Sequence, residues 1–299
     1  MSNFRIKVFY STAIHRSFTK AAEELLISQP AVTKNIKELE TELGVRLFVR
    51  DGGKVLLTEA GEIVLDYAEN ILKTDRKLQF DLSLYKKKYE GQLNLGASTT
   101  IGQYLLPSVL AQFHSKYPDV QLSLINDNTR NIEKALTDNR IELAVVEGSS
   151  KNSKLKYVPL LKDEIVAVVH SSQALASNDE ITLEELKSIP LVLRETGSGS
   201  LDIISEALKR NKISLHDLNI VMHLGSTESI KSFLSASDTI GLMSINAVNR
   251  ELSRGEFKVI DIKDFEILRT FYFVYPHGEL SGFADMFMQF TAKYYNNKL

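Results

Sequence analysis

The chain has 299 residues, a net charge of −2 and the composition of an average globular protein, which leaves room for two or more domains. The absence of cysteine excludes disulfides, thiolate zinc sites, iron–sulfur clusters and cysteine nucleophiles. No apolar run approaches the roughly 20 residues of a membrane span, and MSNFRIKVFY lacks the apolar centre of a signal peptide, so the expectation is a cytoplasmic protein with no membrane contact.

Residues 1–58 read as three short helices and a hairpin. Phe4, Ile6, Val8 and Phe9 give the first helix its apolar face. In HRSFTKAAEELL, Ser17 suits an N-cap, and Ala21, Ala22, Leu25 and Leu26 form the expected buried side. A third helix opens at Ser28, because Pro30 fits only a first turn, and Gly44 closes it. Val32, Ile36, Leu39 and Leu43 recur at helical spacing and are expected to face a core. Gln29, Pro30, Thr33, Lys34 and Lys37 form a second stripe, polar and cationic, without an acid; Glu38, Glu40 and Glu42 wait at the far end. RLFVRDGGKVLLT then reads as two strands around Asp51-Gly52-Gly53.

Residues 59–90 read as a linker helix running to Lys88. Ala60, Val64, Tyr67, Ile71, Thr74 and Leu78 step by four and three, and Leu82, Tyr85 and Tyr89 continue after a stutter. A long helix with one apolar seam packs on a second copy of itself or on the next domain. The first is favoured, with Val64, Tyr67, Ile71 and Leu78 in the dimer interface.

From residue 91 to 299 strands and helices alternate, the signature of α/β architecture with parallel sheets. Two sheets of about five strands are expected, joined by two crossing strands in KDEIVAVVH and EILRTFYFVYP. One lobe would comprise about 91–162 with 267–299, the other about 163–266.

Helix, short joint, then helix with a cation-rich outward face is a helix-turn-helix, whose second helix enters the major groove by its N-terminal half. Ser28, Gln29, Thr33, Lys34 and Lys37 suit base edges and phosphates, and Pro30 an apolar contact with a thymine methyl. Arg50 and Lys54 on the hairpin would hold the flanking backbone. The alternative is a solvated face on a small helical domain.

The stretch RSFTKAAEELLISQPAVTKNIKELETELGVRLFVRDGGKVLLTEAG resembles the DNA-binding region of LysR-type transcriptional regulators. The shared pattern is Ser17-Phe18-Thr19, Ala21-Ala22, Leu25, Ser28-Gln29-Pro30-Ala31-Val32, Ile36, Leu39-Glu40, Leu43-Gly44, Leu47-Phe48, Arg50, Leu57-Thr58 and Ala60-Gly61. Thr33 stands where the family usually has Ser and keeps the hydroxyl. Length and domain order fit over the whole chain. The resemblance implies a winged helix-turn-helix, a linker helix, and a two-lobed α/β domain like periplasmic binding proteins. It further implies a homodimer or homotetramer on an operator with two half-sites, responding to a small-molecule effector, with no cofactor and no metal.

In an open α/β sheet, ligands sit beyond the carboxyl ends of strands, where helix N-termini present free N–H groups. That rule selects Ser98, Thr99 and Thr100; Asn128 and Thr129; Glu147 and Gly148; and Thr196, Ser198, Gly199 and Ser200. Small hydroxyls, glycines and backbone amides suit a small anion, although each stretch alone also reads as ordinary helix capping. Glu147 needs a partner in such a pocket: a protonated ligand, or Arg194 across the lobes. ASTTIGQYLLP and RETGSGS look most like effector domains of the sulfur- and carbon-assimilation branch of the family. Ser237-Asp238-Thr239-Ile240-Gly241 departs from the family's Gly-x-Gly-Ile turn.

An enzyme is the rival from another class. GSGS is not a nucleophile elbow, no phosphate-binding glycine motif is present, and the six histidines are scattered. A transport binding protein would explain residues 91–299 but leave residues 1–90 idle.

Overall fold

The computed structural model describes residues 3–51, 54–86, 89–148, 152–278, 280 and 282–296. The chain forms two units, residues 1–89 and 90–299. The first contains α1 (Asn3–His15), α2 (Phe18–Glu24), α3 (Gln29–Leu43), the hairpin β1 (Phe48–Asp51) and β2 (Lys54–Leu57), and α4 (Glu59–Tyr85). The expected turn residues Gly52 and Gly53, and Lys88, lie outside the described residues, as does the side chain of Arg50.

Local chemistry sets these boundaries. Ser17 accepts from Lys20 N–H and Ser28 from Ala31 N–H, capping α2 and α3. Gly44, at φ +72°, ends α3 in the left-handed conformation. Ile6, Phe9, Ala21, Val32, Ile36, Leu39 and Leu47 form the core, joined by Ala68 and Leu72 of α4. Each fully buried large side chain there contributes about 1.5–3 kcal/mol of apolar transfer. Gly61 is required where α4 begins, since a Cβ would stand 2.3 Å from Leu47 O.

Three expected core residues are exposed. Leu26 is 92 % exposed, because it takes the left-handed turn position (φ 53°) that ends α2. Ile27 N–H then closes onto Ala22 O at 3.0 Å, and Ile27 reaches the core instead. Leu43, on the last turn of α3, and Phe4, on the first turn of α1, also face outward. The seam of α4 divides. Ala60 and Val64 pack on the core of this unit, whereas Tyr67, Ile71, Leu78, Leu82 and Tyr85 are exposed.

The second unit contains β3 (Gly91–Ser98), α5 (Leu106–Lys116), β4 (Val120–Asp127), α6 (Thr129–Thr137), β5 (Leu143–Glu147), β6 (Leu155–His170), β7 (Glu180–Ile181), α7 (Leu183–Ser188), β8 (Leu191–Arg194), α8 (Gly199–Arg210), β9 (Ile220–Leu224), α9 (Thr227–Leu234), β10 (Ile240–Ser244), α10 (Ile245–Ser253), β11 (Phe257–Ile262), β12 (Ile267–Pro276) and α11 (Gly282–Asn296). Between β3 and α5, residues Ile101–Leu105 wind as one π-helical stretch, a form concentrated at functional sites.

Parallel strands β4-β3-β5 form one lobe, and parallel β10-β8-β9 the other. The lobes do not carry separate sheets: the ladder runs unbroken as β4-β3-β5-β12-β6-β10-β8-β9. The cause is β6, which begins at Leu155 and is 16 residues long. It pairs antiparallel with β12 from Leu155 to Ile165, then with β10 and β11 from Ile165 to His170. Pro159 hides the first half in the sequence, and the ladder absorbs it beside a register shift at Phe271/Tyr272.

Candidate functional site

The outward face of α3 is a shallow groove lined by Gln29, Pro30, Thr33, Lys34 and Lys37, with Arg5 of α1 at its edge. Gln29 Nε2 donates to Thr33 Oγ1 at 3.1 Å and Thr33 Oγ1 donates back to Gln29 O at 3.2 Å. The two polar side chains are therefore pre-set on one turn. Lys34 is 76 % exposed, with Glu38 at 3.9 Å, and Lys37 forms no ion pair among the described residues. The acids do not stand free: Arg5 donates to Glu38 at 2.8 and 3.1 Å and to Glu42 at 3.1 Å. That pairing mutes the negative end of the helix. Lys54 is exposed on β2.

In the second unit, the carboxyl end of β3, the end of β5 and the N-terminus of α8 meet between the lobes. Gly199 makes this meeting possible: a Cβ there would stand 2.2 Å from Glu147 O and 2.6 Å from Thr129 Oγ1. Ser98, Thr99, Thr100, Glu147, Ser198 and Ser200 are all buried. Thr196 is exposed, and Gly148 closes β5 at φ +154°.

Hydrogen bonding divides the candidates. Ser98 Oγ and Ser200 Oγ both donate to the Glu147 carboxylate, the latter at 3.2 Å. Thr99 Oγ1 donates to Asp127 O and accepts from Arg194 at 3.2 Å. Thr129 Oγ1 donates to Glu147 O at 2.8 Å. Asn128 caps α6 by accepting from Asn131 N–H and reaches Glu195 of the other lobe at 3.4 Å. Two buried hydroxyls remain. Ser198 stands at the N-cap of α8 yet accepts no cap hydrogen bond; it is 1 % exposed and its Oγ has no partner. Thr100, 2 % exposed, forms no side-chain hydrogen bond among the described residues. Ser198 adjoins the first N–H groups of α8, which a helix leaves without internal acceptors.

The partner of Glu147 is not Arg194, which instead pairs Glu195 at 2.8 Å. It is Arg269 of β12, 3.6 Å away. Arg269 also donates to Ser200 Oγ at 2.7 Å and to Asp163 of β6 at 2.6 Å, and lies 4.9 Å from the Phe271 ring. Ser244 and Asn246 complete Asp163. Arg269 Nη2 is buried without a partner. The signal for this network was an arginine in an otherwise apolar crossing strand and an aspartate on the other crossing strand.

A second set of contacts crosses the lobes at Tyr104, in the π-helical stretch. Its hydroxyl donates to Glu228 of α9 at 2.5 Å, and Lys231 lies 5.0 Å over its ring. Burial, then Glu228, pushes the Tyr104 phenol far above its ordinary value. Burial opposes the charge of Glu228, but Lys231 and the phenol outweigh it and hold that carboxyl below its ordinary value.

Residues 5–62 match the bacterial regulatory helix-turn-helix family of the lysR type, and residues 86–295 match the LysR substrate binding domain. The chain is 34 % identical over 289 residues to a probable RuBisCO transcriptional regulator of Thalassiosira pseudonana, covering 95 % of this chain and 94 % of that protein. It is 31 % identical to the HTH-type transcriptional activator CmpR of Synechocystis, covering 96 % and 93 %. Among solved structures, a full-length OxyR variant from Pseudomonas aeruginosa superposes with a TM-score of 0.72 at 21 % identity, over 98 % of this chain and 94 % of that one. The CcmR regulatory domain of Synechocystis, in complex with 2-PG, gives 0.62 at 27 % identity over 69 % and 97 %. No helix among the described residues is long and apolar enough to cross a membrane. The chain belongs to the LysR-type family, which are transcriptional regulators and not enzymes, and it carries that family's DNA-binding and effector-binding domains.

Proposed function

We propose that the protein is a cytoplasmic regulator, acting as a homodimer or homotetramer, whose effector is a small anion held between the lobes (residues 91–162 with 267–299, and 163–266) by Thr100, Ser198 and the N-terminus of α8. The observation that carries this reading is the Ser198 hydroxyl. A buried hydroxyl without a partner is expensive to keep, and at a helix N-cap it normally accepts an N–H. An anion accepting from Ser198, Thr100 and the α8 N–H groups satisfies all of them and meets the positive end of the helix dipole. The 2-PG carried by the CcmR domain is an anion of this class, and the RuBisCO regulators among the relatives favour the carbon-assimilation side.

On the DNA side, α3 enters the major groove. Gln29 and Thr33 meet base edges, Ser28, Lys34 and Lys37 meet bases or phosphates, Pro30 lies against a thymine methyl, and Arg50 and Lys54 hold the flanking backbone. The exposed Tyr67, Ile71 and Leu78 line an apolar groove beside α1 and form the dimer seam. Val64, packed on the core of its own unit, serves that seam from beneath.

Calorimetry of the full chain with 2-PG and with inorganic phosphate, paired with DNA affinity with and without the ligand, tests the effector reading. Thr100→Val and Ser198→Ala should abolish ligand binding and leave basal DNA affinity unchanged. Wild-type ligand affinity in both variants would overturn it.

A further inference from the structure

The groove on the outer face of α3 is lined by five charged side chains, Arg5, Lys34 and Lys37 against Glu38 and Glu42. Three positive charges less two negative leave +1. Without Arg5 the two lysines only balance the two acids. Yet Arg5 does not belong to α3. It stands on α1 and reaches across, giving Nε at 3.1 Å and Nη2 at 2.8 Å to the same oxygen of Glu38, and Nη1 at 3.1 Å to Glu42. The other oxygen of Glu38 lies 3.9 Å from the Lys34 ammonium. Glu38 follows Lys37 directly and Lys34 by one helical turn, so it is the acid best placed to draw on the lysines of the groove. Glu40, the third acid at this end of α3, is occupied elsewhere: it accepts from Leu47 N–H at 2.8 Å and Phe48 N–H at 3.3 Å.

Resting on the reading that α3 enters the major groove, we infer that Arg5 is a positioning residue for DNA binding: it takes up Glu38 from the side of α1, and so keeps Lys34 for the phosphates and the groove net positive. A guanidinium suits this task, because its planar donors match a carboxylate better than an ammonium does. In its absence Glu38 has Lys34 as its partner at i,i−4 spacing. A lysine spent on a carboxylate neutralises no phosphate and releases no counterion. Arg5 thus acts through Lys34, without touching DNA itself. The side chains of Arg5 and Glu38 are 31 % and 38 % exposed, so salt screens the effect, which is largest at low ionic strength.

The test measures binding of the full chain to a labelled duplex of mixed sequence across a series of salt concentrations. Arg5→Ala should weaken binding about fivefold at low salt and reduce the salt slope by about one for each DNA-binding head. Adding Glu38→Gln to that variant should restore both the affinity and the slope of the wild type. Glu38→Gln alone, which keeps the shape of the side chain and leaves Arg5 in place, should bind at least as tightly as the wild type. A double variant that stays as weak as Arg5→Ala, with the slope still reduced, would show Arg5 gripping a phosphate itself and overturn the inference. Weaker binding by Glu38→Gln alone would overturn it as well, and that arm holds even if Arg5→Ala fails to fold. Lys37→Ala measured alongside separates the two levels. If it reduces the slope while Arg5→Ala changes nothing, α3 stays in the groove and the role of Arg5 falls. If Lys37→Ala binds as the wild type does, the reading of α3 falls and takes the inference with it.

Discussion

The outer face of α3 with the exposed stripe of α4, and the floor of the cleft, treat their polar and apolar groups in opposite ways. On the first unit Lys34, Lys37, Tyr67, Ile71 and Leu78 stand in solvent. In the cleft, Glu147, Asp163, Arg269, Ser98 and Ser200 are buried and bonded to one another across β3, β5, β6, β12 and α8. A surface left open marks a partner that comes from outside. A buried network with one or two donors left over marks a place where a small guest completes what the fold leaves unfinished.

The largest effect belongs to the apolar stripe. Ile71→Asp or Leu78→Asp puts an unpaired charge into the proposed dimer seam, so self-association should weaken about a hundredfold or more, near 3 kcal/mol. Sedimentation should then find monomers, with binding to two half-sites lost. A wild-type chain that is monomeric at micromolar concentration would dissolve the contrast on that side.

Gly199→Val attacks the opposite region. The added carbons collide with Glu147 O and Thr129 Oγ1, and overpacking of this kind costs about 1–3 kcal/mol. Melting temperature and anion affinity should fall together while DNA affinity without ligand holds. Gln29→Ala or Thr33→Ala should cost about 1–3 kcal/mol for a base contact and relax preference at one operator position. Lys37→Ala should weaken all sequences alike and reduce the salt slope by about one; a footprint and slope equal to wild type would remove α3 from the groove.

The smallest effect sharpens the cleft side. Because Glu228 titrates below its ordinary value of 4.5 in the folded chain, its clamp on Tyr104 contributes fully above that value. The contribution is lost as pH falls through the lower folded value. The melting temperature of wild type should exceed that of Glu228→Gln at pH 7, and the gap should close as the pH is lowered well below 4.5. The gap is modest because Glu228 is 57 % exposed.

The legible parts of the sequence were those that short-range rules govern. Ser17, Ser28, Gly44 and Thr58 sit at the ends of helices, as capping chemistry demands. The alternation after residue 91 gives α/β lobes because each element must bury one face. Long-range choices were not legible. Leu26 reads as core by spacing, but a turn takes it away. The crossing strand reads as starting at Lys162, but a paired ladder carries it back through Pro159 to Leu155. Glu147 asks for a cation, and two arginines lie in strands that could supply it; only the register of β12 against β6, which sets Arg269 opposite Asp163, selects between them. Among the hydroxyls, Thr100 and Ser198 look no different in sequence from Thr99 and Ser200. Their difference is who already holds their protons.

The unbroken ladder through β6 bears on how the lobes move. A swing about a flexible loop needs a segment whose backbone groups are free to rotate, and β6 and β12 are hydrogen-bonded to each other from Leu155/Pro276 to Ile165/Ile267. Opening must instead act as torsion on a paired ribbon, concentrated where the partners of β6 change at Ile165 and where the register slips at Phe271/Tyr272. Such a ribbon is a stiff spring, with small amplitude and a restoring force at every angle. A guest in the cleft then acts as a change of preload.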